Sequence, residues 1–111
     1  MTKRNSGTKI ERSSGNVFAD LGFPDPELEL FKATLMLQIY RIIKARELTQ
    51  AEAGKVLGIK QPNVSRLMRG SSGSYSVGRL MEFLTALGQD VEVVIKPTRR
   101  KHGELSVVVA A

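Results

Sequence analysis

Between Lys60 and Arg69 the chain reads KQPNVSRLMR, a run with three cations, two side-chain amides and no acid. Such groups can recognise a polyanion and read a pattern of donors and acceptors; they do not make or break bonds. On one helix, the Gln61 amide could pair with N6 and N7 of adenine, and the Arg66 guanidinium with O6 and N7 of guanine. A bidentate contact of that kind discriminates against a wrong base by about 1–3 kcal/mol. Pro62 has no N–H and is tolerated near a helix start, where it could touch a thymine methyl, with Asn63 close by. Lys60, Ser65 and Arg69 suit phosphate oxygens, which fix register without carrying sequence information. Taken singly, each of these residues is ordinary solvated surface. The weight lies in their arrangement: Gln61, Arg66 and Arg69 fall opposite the apolar pair Val64 and Leu67, three residues apart. Catalysis has no comparable set. There is no cysteine, the single histidine is His102 near the C-terminus, and Glu47, Glu52 and Glu82 occupy positions expected to be exposed. Nothing assembles a nucleophile, a base and an orienting group, and no ligand set suits a metal. We therefore expect no enzyme, metal or cofactor.

The residues before Lys60 explain how that run would be held. Thr49 with Glu52 at the third helical position is a capping box, which starts a helix. Ala53 and Leu57, four apart, share one of its faces. Gly58 ends it, as a residue free to take positive φ does, and Ile59 plugs the corner. Gly54 stands in the middle of this helix, where glycine costs about 1 kcal/mol relative to alanine. That cost is intelligible if the next helix crosses so closely that a Cβ would collide. Residues Gln50 to Arg69 thus read as two short helices meeting steeply, a helix-turn-helix, whose second helix places its N-terminal side chains in the DNA major groove.

At this point the chain resembles the XRE (lambda-repressor-like) family of regulators, over roughly Lys32 to Leu87, through LTQAEAGKVLGI, QPNVSRLMRG and SVGRLMEFLTALG. The leader NVFADLGFPDPE and the segment GQDVEVVIKP are similar to the short HigA-like antitoxins, encoded beside a ribosome-dependent ribonuclease toxin. The resemblance implies a helical bundle of up to five helices and a phosphate contact from Gln50. It also implies an inverted repeat bound in the protein's own promoter, and a toxin neutralised by direct contact. A stand-alone repressor and a helix-turn-helix used only for protein contacts are the alternatives. Two-fold symmetry would space two half-sites about 34–36 Å apart, or a multiple of that, on a palindromic operator.

Composition fits this reading. The 111 residues suffice for one small domain, 41% of them are hydrophobic, and the net charge is +6. A basic balance suits a polyanion, although the charge is spread evenly: residues 1–24, 25–97 and 98–111 each carry a net +2. The lack of cysteine fits a reducing cytoplasm, and neither a secretory signal nor a membrane span is evident.

We read residues 1–24 as a basic arm, 25–97 as the DNA-binding domain and 98–111 as a basic tail or return strand. The arm's first part is rich in Ser, Gly, Lys and Arg; such arms solubilise or track the minor groove. It ends in an apolar island, Val17 to Phe23 (VFADLGF), which either binds a partner or folds onto its own domain. Asp25-Pro26 opens a helix to about Arg46 whose stripe is Leu28, Phe31, Leu35, Ile39, Ile42 and Ile43. Leu30, Met36, Leu37 and Tyr40 are a surplus beyond that stripe. GSSGS (70–74) is a loop; it lacks the preceding strand and following lysine of a phosphate-cradling loop. Ser76 caps a helix with Leu80, Phe83, Leu84 and Leu87 inward, ending at Gly88. VEVVIK (91–96) alternates as a strand would, and 105–110 could return beside it. The expected fold is an all-α, lambda-repressor-like bundle with a short C-terminal strand or hairpin, the strand pairing most simply with its mate in a homodimer whose interface is either this strand or the fourth helix.

Overall fold

The first helix sets the frame. In the computed structural model, which describes residues 25–70 and 75–110, α1 runs from Asp25 to Ala45. It is followed by α2 (Gln50–Leu57), α3 (Gln61–Met68) and α4 (Val77–Ala86). α1 packs on α3 and α4, and the short α2 packs on α3 and α4. The island 17–23 and most of GSSGS lie outside the described residues.

Each start and stop has a local cause. Thr49 Oγ1 accepts from the Glu52 N–H at 3.0 Å, and the Glu52 carboxylate accepts from the Thr49 N–H at 2.8 Å. Both donors are otherwise orphaned at a helix start, so the capping box opens α2 as its sequence implied. Thr49→Ala should cost about 1 kcal/mol. In a domain of this size that lowers the melting temperature by about 4–8 °C, readable by circular dichroism. At the other end Gly58 takes φ 75°, a left-handed conformation in which a side chain is strained. Ser76 caps α4 through its hydroxyl, which accepts from the Arg79 N–H at 3.1 Å. The last turn of α4 is tied to α1 by Arg46, whose guanidinium donates to the Leu87 carbonyl. A cation at a helix C-terminus complements the dipole there.

The core forms where the four helices meet. Ile39, Ile43, Val64, Leu67, Leu80, Phe83 and Leu87 are essentially sealed from solvent, with Leu35, Ala53 and Leu57 beside them. Leu28, Phe31, Ile42 and Ile59 pack on the edge of this cluster. Phe83 is the largest of the sealed side chains. The Tyr75 ring meets it edge-on at 5.1 Å between centroids, and the Arg79 guanidinium lies 4.7 Å over its face. Of the surplus on α1, Met36 is buried, whereas Leu30, Leu37 and Tyr40 remain on the surface.

The C-terminal segment departs from expectation. VEVVIK forms no strand and 105–110 does not return to pair with it; among the described residues there is no sheet. Only Val91 and Val107 reach the core edge, while Val93, Val94, Ile95, Val108 and Val109 are exposed. Of the expected inward face Val91, Val93 and Ile95, Val91 alone meets the core, and among the described residues nothing covers Val93 or Ile95. A two-stranded ribbon without a covering layer is marginal in water, so apolar alternation alone does not make a strand. The segment is anchored instead by the Leu105 N–H, which donates to the Glu27 carboxylate of α1 at 2.7 Å. No helix among the described residues is long and apolar enough to cross a membrane.

Candidate nucleic-acid interface

The corner between α2 and α3 is built on one residue. A Cβ placed on Gly54 would lie 2.7 Å from the Ile59 carbonyl oxygen, a backbone atom that cannot swing aside. It would also stand 3.6 Å from Val64 Cγ2. The Gly54 carbonyl accepts from both the Gly58 N–H (2.8 Å) and the Ile59 N–H (3.0 Å). The collision is thus with the backbone of the corner and not with α3 itself, whose Val64 would stand at ordinary contact distance; glycine is what lets the turn close this tightly over α2. Val64 and Leu67 then bury the inner side of α3 against Ala53 and Leu57.

What remains outside is the polar face. Lys60, Gln61, Pro62, Arg66 and Arg69 are exposed, and Asn63 and Ser65 are half-buried on the same short helix. Gln50 stands at the first position of α2, half-buried. The fold thus brings the candidates of α3 onto one side, away from Val64 and Leu67, while Gln50 belongs to the neighbouring helix start. Pro62 falls in the first turn of α3, where no N–H is missed. Lys60, the N-cap, offers no side-chain hydrogen bond, and the first turn holds no acid. The first turn thus supplies no carboxylate of its own to offset the positive end of the helix dipole.

Two pairings along α3 were not foreseen. The Arg66 guanidinium donates to the Asn63 carboxamide oxygen, and Arg69 Nη1 donates to Ser65 Oγ at 2.6 Å. Both join positions three or four apart, which share a helix face, so the spacing itself was the available signal. They hold two long cations against the helix surface. Arg66 and Asn63 consequently act as one donor-acceptor unit.

Behind α3 lies a second feature, a groove of about 390 Å³ between Ala33, Leu37 and Tyr40 of α1 and Leu67 and Met68 of α3, with Arg69 also lining it. Its sequence signal was the apolar surplus on α1.

Comparison with known proteins is consistent with this geometry. Residues 17–96 match a family model described as a helix-turn-helix domain. A solved structure described as an XRE family transcriptional regulator is similar at 40% identity with a TM-score of 0.71. The alignment covers 79% of this chain and 99% of that one. No curated protein matches the sequence.

Proposed function

Because the chain belongs to the XRE helix-turn-helix family, we infer that it is a DNA-binding transcriptional regulator whose α3 enters the major groove. The observation that supports this most is the acid-free, cation-bearing outer face of α3, fixed at its angle by the Gly54 contact. Gln61, Pro62 and the Asn63–Arg66 unit meet base edges; Gln50, Lys60, Ser65 and Arg69 meet phosphates. The protein acts as a homodimer on a palindromic operator. The exposed valines and isoleucine of 93–95 and 108–109, outside any helix or sheet, supply an apolar surface for the second copy. By its leader and its C-terminal segment it is the antitoxin of a two-gene module, repressing its own operon and neutralising a neighbouring toxin. If that is so, the product of the adjacent gene copurifies with it on co-expression; a neighbour that never binds leaves a stand-alone repressor.

Binding selected duplexes is the direct test. Arg66→Ala should narrow the gap between operator and random DNA by about 1–3 kcal/mol, with non-specific affinity changing little. Arg69→Ala should weaken all duplexes alike and flatten the log–log salt dependence by about one unit per protomer bound. Operator binding left intact by both Arg66→Ala and Gln61→Ala would place the DNA contact elsewhere.

A further inference from the structure

We propose that the apolar island Val17–Phe23 folds back along α1 and fills the groove between α1 and α3. The groove is not an isolated dimple. Leu30, Ala33, Leu37 and Tyr40 recur at intervals of three and four, so they form one continuous stripe up the outer side of α1. Leu30 is 68% exposed, Leu37 44% and Tyr40 39%, on a helix whose other large apolar residues are buried or half-buried. At its upper end the stripe opens into the cleft floored by Leu67 and Met68.

The occupant is argued from position, length and charge. The island ends at Phe23, two residues before α1 begins, so it is tethered at the foot of the stripe. Its seven residues, extended, reach up to about 23–25 Å. Leu30 to Tyr40 spans only about 15 Å of helix. A reversal at Pro24-Asp25-Pro26 therefore brings Val17, Phe18 and Leu21 alongside Ala33 and Leu37 without stretching the chain. Asp20 is the island's single charge, and its sign is opposite to that of Arg69 at the groove. The family match also begins at Val17, at the island's first residue and not at the start of α1. The matched span thus takes in the island and leaves out the residues before it. This docking does not require the DNA reading, although both call on Arg69, and it would place the arm against the back of the helix that carries that residue.

The chain has no cysteine and no tryptophan, so both can be introduced as single reporters. In the full-length protein, Ala19→Cys with Ala33→Cys should close an intramolecular disulfide under mild oxidation. The control pairs Ala19→Cys with Thr34→Cys, one residue further and about 100° round the helix, and should close about tenfold more slowly because its tether is matched but its face is wrong. Separately, Phe18→Trp should emit at the wavelength of a buried indole, and adding Leu37→Asp should shift the emission to the red. Equal closure rates, or solvated-indole emission from Phe18→Trp alone, overturn the proposal. A covalent dimer as the main product overturns it in favour of a second copy. Burial seen only with a co-expressed neighbour overturns it in favour of that partner.

Discussion

Gly54→Ala should destabilise the domain by about 1–3 kcal/mol, although alanine is the better helix former by about 1 kcal/mol. The two effects have opposite signs, and the geometry decides between them. At 2.7 Å from the Ile59 carbonyl oxygen, the new methyl group cannot be accommodated by a rotamer change; the backbone of the corner must move. That motion tilts α3 away from α2 and opens the seal around Val64. Urea denaturation should show a lower midpoint, and operator affinity measured at full folding should fall with it. A more stable Gly54→Ala variant would mean that the helices do not cross as closely as described.

Phe83→Ala should have a still larger effect, a loss of about 3–5 kcal/mol. A small domain has about 5–15 kcal/mol in total, so the variant is expected to be partly unfolded at 37 °C. Phe83 is 1% exposed and joins the α4 core to Tyr75. The cation above its ring is the lesser part: Arg79→Ala removes it, and an exposed cation–π contact is worth about 0.5–1 kcal/mol. Thermal melts of the two variants side by side separate burial from the ring contacts. Similar losses for both would place the energy in the guanidinium.

Much of the fold was legible in the sequence because its signals are local. Thr49, Glu52, Gly54, Gly58 and Ser76 each satisfy or terminate a specific backbone group within a few residues, and each does so in the structure. The stripe Leu35, Ile39, Ile43 needed only the helical repeat. What failed was the C-terminal strand. Alternation at Val91, Val93 and Ile95 reports a preference for a pleated, half-buried surface, and that surface must come from another element. Among the described residues none is supplied to Val93 and Ile95. Arg46 on the Leu87 carbonyl and Glu27 on Leu105 were likewise invisible, since they join residues 41 and 78 positions apart through side chains ordinary for a helix surface. Of the candidate site, the outward side of α3 followed from Val64 and Leu67, but the pairing of Arg66 with Asn63 required coordinates.

The peptide at Gly54 has a consequence for how such a regulator changes its target. It receives two N–H groups of the turn while its α-carbon fits beneath the Ile59 carbonyl, so the crossing is set by main-chain atoms of the corner together with the buried side chains Val64 and Leu67. Exchanging Gln61, Asn63 or Arg66 alters none of those atoms. Operator preference and docking pose are thereby uncoupled, and the lettering on α3 can be rewritten while the hand that holds it stays still.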